Sequence, residues 1–239
     1  MSDAARLARQ HFSTKPQHAP YSTFPVPAND LAAIVGNLPD AVLSSAYSAV
    51  VSYAEALSGL KYGSASWGII RLYYSSFYSI RAMLIASGIL PFNGGAEMLL
   101  DTSKGEYLKG GRSSHHWNWT SIKSTSVKGE WFCSNDSQSA YEALREHREN
   151  VNYTHGFTDP NLHACLTTQE ADLGRRFRAY RDDDEFFYTY LPEHLAVAYP
   201  TRLLFHLDTI LKSKSLVIPL DRSEHLKSIW KIKDRCPLL

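Results

Sequence analysis

Cysteine is scarce in this 239-residue chain. Cys133, Cys165 and Cys236 are odd in number and lie far apart, whereas a secreted disulfide framework or a zinc ribbon needs paired spacings. The sequence also lacks any stretch near the roughly 18 uninterrupted apolar residues of a membrane span, and its first residues lack the apolar segment of a signal peptide. These absences argue against an exported or membrane-anchored protein, and we expect a cytoplasmic one.

A strong charge of either sign is absent as well. The 25 Lys and Arg residues nearly balance the 24 Asp and Glu residues, which leaves a formal net charge of +1. A nucleic-acid partner would need a local patch or groove, because the whole surface provides no basic field. The motifs GxxxxGKS/T, GxGxxG and GxSxG do not occur, so the sequence gives no support for a phosphate loop, a dinucleotide site or a serine hydrolase, and no cofactor is expected.

Potential metal ligands are present but scattered. The consecutive acids Asp182 to Glu185 face several directions at once and are more typical of a solvated turn than of a cation site. We therefore expect no bound metal. The histidines and cysteines nearest one another match no compact zinc spacing: His115, His116, Cys133, His147, His163 and Cys165.

The composition that remains is that of an ordinary globular protein, with 44% hydrophobic and 21% charged residues. Four prolines fall within residues 14–28, and proline restricts both itself and the residue before it. We therefore predict an extended N-terminal arm over residues 1–28. Residues 29–239 are long enough to bury a sizeable core and are predicted to form a single domain.

Helical periodicity dominates that domain. Residues 29–59 predict a short helix followed by a long one. The strongest pattern runs from Ser64 to Ser87, where Gly88 offers a C-terminal stop. We interpret Tyr73, Tyr74, Phe77 and Tyr78 as core packing rather than as a ligand site, because aromatic stripes at this spacing usually pack. The stripe on this helix comprises Ile70, Tyr73, Phe77, Ile80 and Leu84.

The rest of the chain predicts more helices around one irregular segment. Residues 101–136 are interrupted by glycines and have no sustained period, which indicates a long loop or a small hairpin insertion. Further helices are expected over 168–180, 191–213 and 222–233, and the run SLVIPL near residue 217 is the only strand-like one. The fold class predicted is mainly α, a helical bundle with this insertion.

Arg148 and His155 are the sharpest chemical candidates. They follow Tyr141 and Leu144 on a helix predicted to begin after the capping residues 134–137 and to end at Gly156. Seven steps of about 100° return a side chain to nearly the same face, so the pair should point one way. A histidine can move the protons of RNA cleavage, and an arginine can clamp the phosphate.

An arginine followed by a histidine near the end of a helix resembles the signature of the HEPN superfamily. The preceding segment WGIIRLYYSSFYSIRAMLIASGI is similar to the tyrosine-rich helix of these domains. The resemblance covers roughly residues 30–157. It implies a HEPN-like helical bundle whose protomers pair to form a metal-independent endoribonuclease site, as in toxins, anti-phage defence nucleases and RNA-processing enzymes. It further implies Asn152, and with it Asn150, as residues that position the phosphate or His155.

Glu149 departs from the residues that commonly follow the family's arginine. An ion pair between Glu149 and Arg148 would compete with a phosphate for the guanidinium. The alternatives are a non-catalytic HEPN-like binding module that docks a partner protein or a nucleotide, and a salt-bridged Arg148 with His155 as a polar helix end.

Cations and aromatic rings are interleaved in the 101–136 segment. Single-stranded nucleic acids are bound by this combination, since cations meet phosphates and rings stack on bases. The alternative is that the tryptophans fold back onto the bundle while the lysines are merely solvated. The partners expected are therefore RNA, a second copy of the chain and a regulatory or antitoxin protein. The RNA-binding candidates are Tyr153, Lys104, Lys109, Arg112, His115, His116, Trp117, Trp119 and Lys123.

Overall fold

The computed structural model describes residues 2–111, 130–154 and 173–239. It is mainly helical with one small sheet, which confirms the mainly α fold class. The helices are α1 (Asp3–Phe12), α2 (Ala28–Gly36), α3 (Leu38–Lys61), α4 (Ala65–Ala86), α5 (Asn135–Glu149), α6 (Leu173–Arg181), α7 (Phe187–Tyr190), α8 (Pro192–Ser213) and α9 (Leu220–Ile229). The strands are β1 (Ile89–Asn93), β2 (Glu97–Asp101) and β3 (Glu106–Gly111).

The helices with the clearest periodicity are confirmed. The short helix and the long helix predicted over residues 29–59 are α2 and α3. The predicted Ser64–Ser87 helix is α4, and the backbone after it turns at Gly88 with a φ of +86°, a conformation that glycine adopts without steric cost. The whole apolar stripe of α4 is buried, as packing of one helix face requires.

The N-terminal segment is not the extended arm that its prolines predicted. Residues 3–12 form α1, because Ser2 caps the helix by accepting a hydrogen bond from the Ala5 amide (3.3 Å) and Ala8 lies on a buried face. The extended conformation is limited to stretches after α1. There the Val26 amide donates to the Gly105 carbonyl (2.8 Å), so this segment is tied to the fold.

The sheet is an antiparallel meander in the order β1-β2-β3, with Leu90 opposite Leu100 and Leu99 opposite Leu108. A small hairpin was one alternative for residues 101–136, but the sheet begins at Ile89, upstream of that segment. The strand predicted near residue 217 is wrong. Val217 lies outside regular structure and is 79% exposed, so its apolar side chain has no sheet face to cover.

Contacts along the chain group it into two compact units, residues 1–45 with 80–130 and residues 46–79 with 131–239. The first unit packs Phe12 edge-on against Phe92 (5.6 Å between ring centroids) and Tyr107 (5.0 Å). The second packs Phe177 against Trp230 (5.5 Å). The folding of residues 29–239 as a single domain stays a prediction.

One helical stretch of the described chain, Ala28–Lys61, is long and apolar enough by length and composition to cross a membrane. Core helices of water-soluble proteins pass the same test. In this fold the stretch is two helices, α2 and α3, separated at Asn37, and the α3 residues Ala46 and Val50 are fully buried. The α3 part of the stretch therefore has a buried face, as a helix packed in a core does.

The acidic run at residues 182–185 forms a turn before α7. Asp183 is 6% exposed and accepts hydrogen bonds from the Phe187 amide (2.8 Å), the Thr189 amide (2.7 Å) and the Thr189 hydroxyl (2.7 Å). Asp184 is exposed and pairs with Arg202 (3.1 Å). The adjacent carboxylates thus face different directions and serve the backbone or separate ion pairs.

Replacing Asp183 by alanine is expected to lower the free energy of unfolding by about 3 kcal/mol, because the buried amide and hydroxyl of Thr189 and the partly buried amide of Phe187 lose their acceptor. Urea unfolding followed by circular dichroism measures the effect. Asp184→Ala is the matched control and is expected to cost less than about 1 kcal/mol, since its ion pair is solvent-exposed. Equal losses in the two variants would contradict the structural role of Asp183.

Candidate functional site around Arg148

Helix α5 positions the predicted arginine. Its N-terminus is capped by Ser134, whose hydroxyl oxygen accepts a hydrogen bond from the Ser137 amide (3.1 Å), in agreement with the capping predicted from sequence. Tyr141 and Leu144 follow on the buried face, and both are fully buried. Arg148 continues that face into the last turn of the helix, so a permanently charged group lies where the pattern places apolar residues.

The Arg148 guanidinium lies among three tyrosines and is only 8% exposed. Its central carbon lies 5.4 Å from the ring centroid of Tyr73, 5.8 Å from that of Tyr74 and 6.0 Å from that of Tyr153. Its Nη2 donates a long hydrogen bond to the Tyr74 hydroxyl (3.4 Å). Electron-rich ring faces stabilise a cation that has lost most of its water.

The guanidinium is incompletely satisfied by the residues that the structure describes. Its buried Nε finds no hydrogen-bond acceptor among them, and its Nη1 lies 3.8 Å from Glu149 Oε1, beyond hydrogen-bond distance. A buried donor without an acceptor is costly, and a buried charge calls for a compensating anion. Within the described part of the chain, Glu149 therefore offers only a loose charge contact.

Burial also sets the protonation of this cluster. The Tyr73 and Tyr141 hydroxyls are hydrogen-bonded at 3.0 Å, and burial raises the pKa of both phenols, so both stay neutral. Burial lowers the pKa of Arg148, but the hydrogen bond to Tyr74 and the neighbouring phenols outweigh it and the net pKa is raised. Arg148 thus keeps its positive charge beside the neutral phenol of Tyr73.

The backbone changes from α-helical to π-helical geometry after Glu149, the residue that follows Arg148. Residues Asn150–Thr154 form a π-helical turn, a rare geometry that recurs at functional sites. The expectation that Arg148 and His155 share a face assumed a continuous α-helix, and this assumption is wrong because α5 ends at Glu149. The placement of His155 itself lies outside the described residues.

The other candidate site residues predicted from the sequence lie in different places. Tyr153 is 77% exposed and its ring adjoins Arg148, so these two are brought together. Asn152 is exposed on the π-helical turn, and Asn150 begins it. Lys104 belongs to the other compact unit and lies 3.8 Å from the Asp101 carboxylate. The side chain of Lys109 and the whole of Arg112, His115, His116, Trp117, Trp119 and Lys123 lie outside the described residues.

Two aromatic residues of the loop pack inside the fold rather than forming a ligand surface. Tyr107 is 4% exposed and donates a hydrogen bond to the Ala8 carbonyl (3.2 Å). Trp131 stacks on Phe186 with 5.0 Å between centroids. For Trp131, the alternative of folding back onto the protein is confirmed.

Comparisons with protein-family models, curated proteins and solved structures found no match. The HEPN resemblance therefore depends on the residues of the chain itself.

Few potential metal ligands lie close together in the part of the chain that the structure describes. Within it, no group of three His, Cys, Asp or Glu residues is arranged to hold an ion. Cys133 and Cys236 are buried, and burial raises the pKa of the Cys236 thiol to about 12, which disfavours the thiolate that binds metals.

Sequence reasoning missed two partners of Arg148, the rings of Tyr73 and Tyr74. Tyr73 and Phe77 are buried, which confirms that they are packing residues. Tyr74 is only partly buried and contacts the arginine. A signal was available, because Tyr74 and Tyr78 are four residues apart and hence form a second aromatic row beside the core stripe.

Proposed function

We propose that this protein is a metal-independent endoribonuclease of the HEPN type, acting as a toxin or an anti-phage defence effector in the cytoplasm. The observation that supports this proposal best is the environment of the Arg148 guanidinium. It is buried among tyrosines, and none of the described residues accepts a hydrogen bond from its Nε. A phosphate oxygen would supply both the missing acceptor and the compensating negative charge.

The chemistry proposed is transfer of the scissile phosphate to the neighbouring 2′-oxygen. His155 removes the 2′-hydroxyl proton, the 2′-oxygen attacks phosphorus, and the bond to the 5′-oxygen breaks as that oxygen receives a proton. Arg148 donates to the phosphate oxygens, whose negative charge grows in the transition state. Asn152, and with it Asn150, orients the phosphate or the imidazole.

A homodimer completes this site in the proposal. Each protomer would contribute one Arg148 and one His155, so one histidine serves as base and the other as acid. The exposure of Asn152 and Tyr153 beside Arg148 supports an end of α5 that is open to RNA or a second protomer. A protein that covers this end would inhibit cleavage, as expected of an antitoxin.

The second candidate is a binding module without catalysis. Glu149 favours it, since its carboxylate lies 3.8 Å from Arg148 Nη1 and repels an incoming phosphate. Such a module would dock a partner protein or a nucleotide through the same end of α5. The two candidates differ in whether RNA is cut or merely held.

The purified protein is expected to cleave single-stranded RNA in excess chelator and to leave a 2′,3′-cyclic phosphate and a 5′-hydroxyl. Mass spectrometry of the products of a short synthetic RNA identifies the new ends. An RNA whose 2′-oxygens are methylated is the matched substrate control and should stay intact, because its nucleophile is blocked. Cleavage that stops with chelator, or that leaves 5′-phosphate ends, would refute the mechanism.

A further inference from the structure

A second candidate site lies in a cleft between the C-terminal part of α3 and the N-terminal part of α4. The cleft has a volume of about 330 Å³, near the lower end of small-ligand sites. A single base or nucleoside is therefore the size of ligand that suits it. The lining residues are Glu55, Gly59, Ser64, Trp67, Gly68 and Arg71.

The two helices that border the cleft, α3 and α4, pack closely against each other. A Cβ atom on Gly68 would lie 2.7 Å from Leu60 Cδ2, so glycine permits this approach. The Ser64 amide donates to the Gly59 carbonyl (2.9 Å), which fixes the turn between the helices. The cleft is thus bordered by two closely packed helices joined by a fixed turn.

The walls of the cleft combine a ring, an acceptor and a donor. Trp67 is 56% exposed, which is unusual for the largest aromatic side chain. Glu55 and Arg71 are hydrogen-bonded through Oε2 and Nη1, with side chains 41% and 43% exposed. An ion pair this exposed contributes little to stability, so it is available for recognition without a large cost to the fold.

We propose that this cleft binds a guanine base. Among the four bases only guanine has two adjacent donors, N1–H and the N2 amino group, together with two adjacent acceptors, O6 and N7. Glu55 accepts from the donor pair, Arg71 donates to the acceptor pair, and the indole of Trp67 stacks on the base. Adenine presents a lone pair at N1 to the carboxylate and is disfavoured.

The position of the cleft connects it with Arg148. Arg71 and Tyr74 are three residues apart on α4 and so lie on the same side of the helix, about 4.5 Å apart along its axis. Tyr74 accepts the hydrogen bond from Arg148. A base in the cleft would therefore lie next to a phosphate held by Arg148. The guanine comes either from a free nucleotide or from an RNA strand.

Titration calorimetry with GMP, AMP and IMP tests the cleft on the whole protein. GMP is expected to bind saturably, and IMP, which lacks the N2 amino group, about tenfold more weakly. Glu55→Gln is expected to weaken GMP binding about tenfold, with little change for AMP. Trp67→Leu should weaken every nucleotide, because the stacking surface is lost.

Glu185→Gln, at an exposed acid of the second unit, is the matched control and should bind GMP as the wild type does. Circular dichroism verifies that every variant is folded. The proposal is overturned if the wild type neither binds GMP saturably at millimolar concentration nor prefers guanine in RNA. Equal GMP affinity in Glu55→Gln and Glu185→Gln overturns it as well.

A second arm distinguishes the two sources of guanine, and only this arm rests on the proposed RNA-cleaving function. Five-residue RNAs with methylated 2′-oxygens, carrying either one guanine or one adenine, are titrated in parallel. A preference for the guanine RNA that Glu55→Gln removes assigns the cleft to RNA. GMP binding without such a preference assigns it to a free nucleotide. Because no RNA is cut here, failure of catalysis leaves both results interpretable.

Discussion

Replacing His155 by glutamine is expected to lower the rate of RNA cleavage by about 10²–10⁴-fold, because the variant loses the group that moves protons at the 2′-oxygen and the 5′-oxygen. Glutamine retains hydrogen-bonding capacity but does not titrate in the neutral range. The measurement is the single-turnover cleavage rate of a labelled oligonucleotide with chelator present. The logarithm of the wild-type rate should depend on pH near 6–7, and that dependence should disappear in the variant.

Arg148 provides the companion test. Arg148→Ala is expected to lose about 10²–10³-fold in rate, as removal of a transition-state hydrogen-bond donor does elsewhere. Arg148→Lys should recover little of this, since an ammonium cannot make the two parallel bonds of a guanidinium. The matched control is Arg145→Ala on the same helix, where Arg145 pairs with Glu142 at 2.7 Å. It should cleave near the wild-type rate.

Folding must be separated from catalysis in this comparison. Wild-type circular dichroism and an unchanged unfolding midpoint are required of His155→Gln and Arg148→Lys before rates are compared. Full activity in folded His155→Gln would refute the nuclease mechanism. RNA binding without cleavage by the wild type and by all variants would favour the binding module instead.

Replacing Tyr141 by alanine is expected to lower the free energy of unfolding by about 3–5 kcal/mol, the usual cost of truncating a large buried aromatic side chain. Tyr141 is fully buried on α5 and bonds to the Tyr73 hydroxyl of α4 at 3.0 Å. The alanine variant loses the packed ring and leaves the second hydroxyl buried without this partner. Urea unfolding at neutral pH measures the loss.

Tyr141→Phe is the matched variant for that prediction. It keeps the ring and removes only the hydroxyl, so it is expected to cost about 1–2 kcal/mol. Because the ring pair between α4 and α5 remains, Arg148 should keep its place and any cleavage activity should persist. A phenylalanine variant as unstable as the alanine variant would mean that the hydrogen bond, and not the packing, dominates this contact.

The long helices could be predicted because their information is local. The apolar residues of α4 recur at the helical period and Gly88 ends the pattern, so neither feature depends on the rest of the chain. The same is true of the Ser134 cap on α5, which brings Arg148 to the last turn of that helix. Arg148 is therefore a site candidate on local sequence features alone.

Other features depend on partners that are distant in sequence. Prolines predicted an extended segment, but α1 forms because its alanine face is covered and its Phe12 ring meets Phe92 in the sheet. The strand-like run near Val217 has no neighbouring strand and stays irregular. A local preference is worth a few tenths of a kcal/mol per residue, roughly, and tertiary packing overrides it.

The sequence by itself determined the mainly α class, the positions of the principal helices and the choice of Arg148 as a chemical candidate, since helical periodicity and capping act within a few residues. Only the tertiary structure decided that Tyr74 bonds to Arg148, that α5 gives way to a π-helical turn after Glu149, and that Glu55 and Arg71 meet in a cleft between α3 and α4. These features arise where separate helices pack against each other. Which side chains meet there depends on the free energy of burial, and no local sequence pattern encodes it.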